Sequence, residues 1–232
     1  MFPVSLKATH ITKTFEDGWI LKKRTRIIQG ISFEVRKGET LGIMGESGAG
    51  KTTLAKIIAG LEKPTEGEVL FEDRNIFSMK RKEFLFFRRK VQLVFQNPES
   101  SLNPRKTIKK SFHQVLNLLD IPRPERMEAV LNVLRMVGLS EEILCRYPHQ
   151  LSGGQNQRIV LGRVLLIEPE IIILDEPTSG LDISVQAQIL HLLRSIQAKK
   201  GMGYILISHD KDIIRFMSHR IGAIMEGKLF YL

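Results

Sequence analysis

Residues 45–52 read GESGAGKT, a glycine-rich stretch between an apolar run and a run with helical spacing. It meets the pattern G-x-x-x-x-G-K-[ST] at Gly45, Gly50, Lys51 and Thr52. Glycines let backbone N–H groups turn inward around phosphate oxygens, and the helix that follows presents its positive end to them. Lys51 would reach the outer phosphates, and the Thr52 hydroxyl can ligate Mg²⁺. The residues that the pattern assigns to phosphate binding are Gly45, Glu46, Ser47, Gly48, Ala49, Gly50, Lys51, Thr52 and Thr53.

Short apolar runs with few polar interruptions recur on both sides of this loop. Helical patterns separate several of them, and the clearest covers residues 183–200. Such alternation predicts an α/β fold with a mostly parallel sheet flanked by helices. The strand-like runs are 8–15, 27–35, ETLGIMG (39–45), GEVLFE (67–72), KVQLVFQ (90–96), EIIILDE (170–176) and MGYILISH (202–209).

The pattern changes between Pro98 and Leu151. Strand-like runs disappear there, while TIKKSFHQVLNLLDI (107–121) and RMEAVLNVLRMVGL (126–139) show helical periodicity. The chain is therefore predicted to form one domain over residues 1–232. Its α/β core is predicted to consist of residues 1–97 and 153–232, and the inserted helical subdomain of residues 98–152.

The composition is that of an ordinary globular protein, with 43% hydrophobic and 26% charged residues. The best candidate for a membrane span is broken by Arg163, Glu168 and Glu170, so the chain is not expected to cross a membrane. No signal peptide is evident. The single cysteine, Cys145, excludes an internal disulfide and a cysteine-rich zinc site. Together these features favour the cytosol.

The net charge of +10 is compatible with nucleic acid, an anionic membrane surface or phosphorylated ligands as partners. Basic residues are dense at 21–26 and 79–90. Such runs are most often solvated, lipid-facing or partner-facing. In the second run Phe84, Phe86 and Phe87 could stack on single-stranded nucleic acid or could form a core stripe, and the sequence leaves both open.

A second chemical signal is the pair of carboxylates that ends EIIILDE. Charges at the end of a buried strand are costly unless they have a partner, and a nucleotide-bound Mg²⁺ is a suitable one. Asp175 would then hold the water shell of the metal, and Glu176 would act as general base on the attacking water. The alternative is that both residues only cap the element that follows Pro177.

The segment LSGGQ (151–155) lies just upstream of IIILDEP (171–177), and with this order of motifs the chain resembles the nucleotide-binding subunits of ATP-binding-cassette (ABC) transporters. The resemblance covers essentially the whole chain. It implies an α/β P-loop NTPase fold with a RecA-like core, an N-terminal antiparallel β subdomain and the inserted helical subdomain. It also implies ATP and Mg²⁺ as cofactors and ATP hydrolysis as the activity.

The resemblance assigns further roles residue by residue. Gln96 matches the glutamine that approaches both the metal and the transmembrane partner, and His209 matches the histidine that contacts the terminal phosphate. Asp182 ends the loop that crosses between paired domains, and Phe15 takes the place of the aromatic residue that stacks on adenine. The signature motif, which completes the site of a neighbouring subunit, is matched by Ser152, Gly153, Gly154 and Gln155.

Several of these residues also have a simpler interpretation. Phe15 could be a core residue at a strand end, Gln96 an ordinary polar strand end, and His209 part of a helix start. The chain departs from the family at Asn156, where a charged or bulkier residue is often found, and at Gly162, where alanine is frequent. Neither departure removes a group that contacts phosphate.

A closer resemblance, carried by FQNPESSLNPRKTI (95–108) and RYPHQLSGGQ (146–155), is to the second ATPase subunit of bacterial uptake systems for peptides and for nickel or related metal chelates. The chain ends at EGKLFYL (226–232) without the C-terminal extension of the peptide-importing members, which favours the nickel type or a truncated chain. The partners implied are a second ATPase subunit, as a paralogue rather than an identical copy, two transmembrane permease subunits and an extracytoplasmic substrate-binding protein. The location implied is peripheral, at the cytoplasmic face of the membrane.

Two alternatives to an importer stay open. A nucleic-acid-associated cassette ATPase would use the basic surface, but such relatives usually carry two cassettes, a long coiled coil or zinc-binding cysteines, and the sequence has none of these. No specific nucleic acid is therefore expected as a partner. An export cassette is the nearer alternative.

Overall fold

The computed structural model of the chain describes residues 4–17, 23–97 and 101–232. Part of the basic stretch 21–26 and the predicted start of the helical subdomain at residue 98 lie outside the described residues. The chain divides into two compact units. The first contains residues 1–93, 170–176 and 200–232, and the second contains residues 94–169 and 177–199.

Two sheets build the first unit. One is antiparallel, with the strand order β2-β1-β4-β5, and its members are β1 (Val4–Asp17), β2 (Lys23–Arg36), β4 (Glu66–Phe71) and β5 (Arg74–Asn75). The other has the order β10-β9-β3-β8-β7-β6. Its members are β3 (Thr40–Gly45), β6 (Val91–Val94), β7 (Ile171–Asp175), β8 (Gly203–Ile207), β9 (Arg220–Met225) and β10 (Lys228–Tyr231). The predicted α/β fold, with an antiparallel β subdomain at the N-terminus, is thereby confirmed.

Because several strands of the second sheet are parallel, the loops that follow them lie at the same edge. β3 pairs in parallel with β8 and β9, and β7 pairs in parallel with β8. All five residues of β7 and all five of β8 are buried, as the apolar runs predict. The carboxyl ends of β3, β7 and β8 therefore meet at the same edge of the sheet. The α-helices in the described part of the first unit are α1 (Lys51–Ile58), α2 (Arg81–Lys90) and α7 (Lys211–Met217).

Most of the basic stretch 79–90 forms helix α2, and its phenylalanines are divided between the core and the surface. Phe87 is fully buried and packs edge-on against Phe71 with 5.5 Å between ring centroids, and Phe84 packs on the same core. Phe86 is 49% exposed, with the Lys90 ammonium 5.5 Å from its ring centroid. Two of the three phenylalanines thus form the core stripe that the sequence left open, and the third lies on the surface.

Helices make up the second unit: α3 (Ile108–Leu118), α4 (Arg126–Met136), α5 (Gly153–Leu165) and α6 (Ile183–Lys200). The predicted helical subdomain, 98–152, stays a prediction; its described part lies wholly in this unit. A Cβ on Gly162 of α5 would lie 3.0 Å from Cγ1 of Val133 and 3.3 Å from Cζ of Phe112. The departure from alanine at Gly162 is therefore a packing feature of three close helices.

The helices of residues 4–17, 23–97 and 101–232 include none with the length and apolar character of a membrane span.

Candidate functional site

The glycine-rich loop joins β3 to α1, and its backbone needs glycine at two positions. Gly48 and Gly50 have φ of +82° and +90°, a region that residues with a side chain rarely adopt. Gly50 is the N-cap residue of α1 and supplies no capping side chain. The N–H groups in the first turn of α1 are consequently left for an anion, which the positive end of the helix also favours.

Lys51 is 9% exposed and folds back into its own loop. Its Nζ donates hydrogen bonds to the carbonyl oxygens of Gly45 at 2.7 Å and Glu46 at 2.9 Å. An ammonium group has three donors, so two bonds to the loop still leave one N–H for a phosphate oxygen. The loop therefore both positions the charge of Lys51 and supplies the backbone around it.

Asp175, the last residue of β7, is 3% exposed and is hydrogen-bonded to the side chain of Thr52. Burial raises the pKa of this carboxyl above its ordinary value of 3.8, and the charge of Glu176 adds to the rise. The Thr52 hydrogen bond and the charge of Lys51 act in the opposite direction. A buried carboxylate beside a hydroxyl is a donor set that suits Mg²⁺, which takes oxygen ligands together with substrate phosphates.

The described residues contain no cluster of three or more His, Cys, Asp or Glu that could hold a metal ion by themselves. The donor set of Thr52 and Asp175 fits an Mg²⁺ ion that takes its other ligands from a nucleotide.

We expect Asp175→Asn to raise the melting temperature of the nucleotide-free chain at neutral pH. Because the folded-state pKa of Asp175 is raised, stability falls as the pH rises from 3.8 to the raised value, and the full cost stays at neutral pH. Each kcal/mol of relief would add roughly 2–4 °C. The same variant should lose the extra stabilisation that Mg²⁺ adds to ATP. Thermal melts without nucleotide would measure the first effect, and melts with ATP, with and without Mg²⁺, would measure the second. A lower melting temperature of the nucleotide-free variant would contradict the role of burial.

Glu176 follows β7 with a left-handed backbone, φ +51°. Its N–H donates to the carbonyl of Ile207 at 2.9 Å. Its Oε1 accepts a hydrogen bond from the backbone N–H of His209 at 3.0 Å and lies 2.8 Å from the Nδ1 of that ring. The carboxylate is mostly buried, with 12% of the side chain exposed, whereas the His209 side chain is 67% exposed. Glu176 and His209 therefore form a pair at the edge of the sheet.

The helix start proposed as the simpler interpretation of His209 is formed by the next residue, Asp210. Asp210 is the N-cap residue of α7, and its side chain accepts hydrogen bonds from the backbone N–H groups of Asp212 and Ile213. The imidazole of His209 is directed to Glu176 instead. The cap and the candidate catalytic group are thus consecutive but separate residues.

A cavity of about 1030 Å³ lies beside the loop, but Lys51, Thr52, Asp175 and Glu176 are not among its lining residues. Gly45 to Ala49 and His209 line it, as do residues that the sequence analysis missed: Thr25 and Arg26 on β2, and the turn 225–227 between β9 and β10. The turn had a local signal, since Glu226-Gly227 is an acidic-glycine pair with positive φ at both residues, typical of a two-residue hairpin. Thr25 and Arg26 had none, because β2 belongs to the other sheet and only tertiary packing brings it beside the loop.

Phe15 lies on β1 opposite Thr25, which lines the cavity. The ring is partly exposed and has the Lys13 ammonium 4.9 Å from its centroid. An aromatic face at this position could stack on a base. Its role in binding adenine stays a prediction.

The remaining predicted site residues belong to the second unit. Ser152 is the N-cap residue of α5; its Oγ accepts from the N–H of Gln155 at 3.2 Å, and the Oε1 of Gln155 accepts from the N–H of Ser152 at 3.0 Å. Gly153 and Gly154 open the helix. Asp182 precedes α6 and accepts from the N–H of Gln186 through its carbonyl.

Gln96 also belongs to the second unit. Its Nε2 donates to the Oγ of Ser179 at 3.2 Å, and its role near the metal stays a prediction. The predicted site residues thus form two groups. One group, with Lys51, Asp175 and His209 among its members, is assembled in the first unit, and the signature residues, Gln96 and Asp182 lie in the second.

Comparison with known proteins identifies the family of the chain. A family model described as ABC transporter matches residues 28–179. Oligopeptide transport ATP-binding protein OppF of Bacillus subtilis is 45% identical over 210 residues, covering 89% of this chain and 69% of that protein. Dipeptide transport ATP-binding protein DppF of Lactococcus lactis is 41% identical over 220 residues, covering 93% of this chain and 70% of that protein.

A solved structure adds the bound nucleotide. The ATP-binding cassette MJ0796, in its dimeric post-hydrolysis state with ADP and Pi, matches with a TM-score of 0.83 and 33% identity, covering 97% of this chain and 96% of that one. The fold of this chain is therefore that of a cassette whose solved structure contains ADP and Pi. The chain belongs to the ABC transporter family and is an ATP-binding, ATP-hydrolysing cassette of that family.

Proposed function

We propose that this chain is one of two ATPase subunits of a bacterial importer for peptides. The observation that supports it most is the similarity, over about nine tenths of the chain, to ATP-binding proteins named for oligopeptide and dipeptide transport. Those names favour peptides over nickel chelates as cargo. Import through two permease subunits and an extracytoplasmic binding protein, with this chain peripheral at the cytoplasmic face, belongs to the same proposal.

The residues of the first unit would carry out hydrolysis. Lys51 and the N–H groups of α1 would hold the phosphates, and the Glu176 carboxylate would take a proton from the attacking water. His209, already within 2.8 Å of Glu176, would orient that carboxylate and reach the terminal phosphate. Thr52 and Asp175 would hold Mg²⁺, which when bound offsets the negative charge of the phosphate oxygens.

The signature residues of the second unit would act on a neighbouring subunit. The Ser152 hydroxyl and the N–H groups of Gly153 and Gly154, at the positive end of α5, would face a nucleotide bound by the partner. Asp182 would lie at the same interface, and Gln96 would link the metal site to the permease. A net charge of +10 makes a self-pair repulsive, which supports a paralogue as the second ATPase.

Reconstitution tests this function directly. Vesicles containing the cognate permeases, both ATPase subunits and the binding protein are expected to accumulate labelled dipeptide or oligopeptide when ATP is supplied. Vesicles with Lys51→Ala in this chain would be the matched control and should not accumulate it. Uptake of a labelled nickel chelate without peptide uptake would reassign the cargo. Hydrolysis stimulated by RNA or DNA in a salt-sensitive manner, with no uptake, would contradict the importer.

A further inference from the structure

Helices α5 and α6 approach each other closely at their N-terminal ends. A Cβ added to Gly154 would lie 2.4 Å from Cγ1 of Val185, and one added to Gly153 would lie 3.1 Å from Cδ2 of Leu181. Since a real Cβ does not tolerate 2.4 Å, the backbone of α5 can occupy its position only with glycine at 154. The second signature glycine therefore has a packing partner, Val185, besides any phosphate.

The two helices are joined again farther along. Arg158, one turn after Gly154, donates through Nη2 to the Oε1 of Gln188 at 3.0 Å, and through Nη1 to the carbonyl of Val137 at 2.8 Å. Gln188 lies one turn after Val185 on α6. Helices α5 and α6 are thus joined at two points, the approach of Gly154 to Val185 and the hydrogen bond from Arg158 to Gln188.

We propose that Val185 is a positioning residue for the signature motif. Its side chain sets the separation between the N–H groups of Gly153 and Gly154 on α5 and the residue Asp182 that precedes α6. This inference rests on the proposed pairing with a second ATPase subunit. It adds that the signature motif and Asp182 reach the partner together, with their spacing set by the contact between Val185 and Gly154.

The expected sensitivity follows from hydrogen-bond geometry. An N–H group serves a phosphate oxygen well only over a few tenths of an ångström, and misplacement by about 1 Å can cost roughly a hundredfold in rate. Val185→Ile keeps the branched side chain and adds one methyl group to the residue that contacts α5. We expect the turnover number of the assembled ATPase pair to fall by about tenfold or more. ATP affinity of the lone subunit should not change, because its phosphate loop is untouched.

The chain offers a matched control on the same helix. Gly162 lies two turns after Gly154 on α5, and Val133 of α4 stands over it with Cγ1 3.0 Å from the added Cβ. Val133→Ile therefore pushes α5 with the same group, far from the signature end. The control is expected to lower the melting temperature at least as much as Val185→Ile and to keep most of the turnover. Equal losses of turnover in both variants, in proportion to melting temperature, would show that Val185 only packs.

A double substitution provides a further test. Gly154→Ala should lower both the melting temperature and the turnover of the assembled pair, and adding Val185→Ala should recover much of both by making room for the new Cβ. Recovery of the melting temperature with no recovery of turnover would overturn the positioning role. The wild-type pair separates this inference from the function beneath it: if mixing the two wild-type ATPase subunits does not stimulate hydrolysis, the proposed pairing itself fails.

Discussion

Glu176→Gln is expected to bind ATP as the wild type does and to hydrolyse it about 10²–10⁴-fold more slowly, the usual contribution of a general base. The amide keeps the shape of the carboxylate and can still accept the hydrogen bond from the His209 N–H, so the fold of the site is preserved. It cannot take a proton from water. With ATP retained, the variant should accumulate as a dimer, which light scattering after size exclusion would detect alongside a steady-state ATPase assay.

The control for this prediction is Glu72→Gln. Glu72 lies on the surface at the turn after β4 and has a φ of +49°, close to that of Glu176. Its substitution therefore makes the same chemical change at the same backbone geometry, without a role in the site. We expect turnover within twofold of the wild type, as for surface substitutions of this kind. Near-normal turnover in Glu176→Gln itself would overturn the assignment of the base.

The backbone at Glu176 gives a reason for choosing glutamine rather than a smaller residue. A left-handed conformation costs a residue with a side chain about 1–3 kcal/mol and persists only where the surroundings impose it. Here the N–H bond to Ile207 and the bonds between the Glu176 carboxylate and His209 do so. Backbone strain at Glu176 therefore serves the orientation of its carboxylate and not the stability of the fold.

Much of the fold was predictable because its signals are local. The glycine pattern at 45–52 located the β3–loop–α1 junction, and the unbroken apolar run in EIIILDE identified β7 as a strand buried on both faces. Parallel strands buried on both faces read this way in any α/β protein. Helix α6 matches the predicted range 183–200, because its apolar residues keep a regular helical spacing.

The parts that could not be predicted depend on contacts between distant segments. No pattern in LSGGQNQR indicates that Val185, about thirty residues later, packs against Gly154. Thr25 lies on β2 in the antiparallel sheet, and only tertiary packing places it beside the phosphate loop that follows β3. In the basic stretch 79–90 the three phenylalanines look alike in the sequence, yet helical geometry buries Phe87 and exposes Phe86. A periodicity argument identifies a helix face only when the element and its register are already known.

Ser152→Arg is expected to leave ATP binding by the lone subunit intact and to reduce hydrolysis by the assembled pair about a hundredfold. Ser152 is the exposed N-cap residue of α5, next to the N–H groups proposed to face the partner's nucleotide. Arginine removes the hydroxyl that accepts from Gln155, fills the space that phosphates would enter and adds a cation at the positive end of the helix. The lost cap and the misplaced charge would cost roughly 1–3 kcal/mol of stability.

A control substitution in the same unit separates loss of stability from loss of function. Ser140 is also an exposed serine at a helix start, the N-cap of the turn Glu141–Cys145, and lies outside the proposed interface. Ser140→Arg adds the same bulk and charge, so it should change the melting temperature modestly and leave the turnover of the pair near that of the wild type. If Ser152→Arg lost ATP binding in the lone subunit, the signature motif would be acting on this chain's own nucleotide. If Ser152→Arg reduces hydrolysis only after the two subunits are mixed, the signature motif must act across the interface.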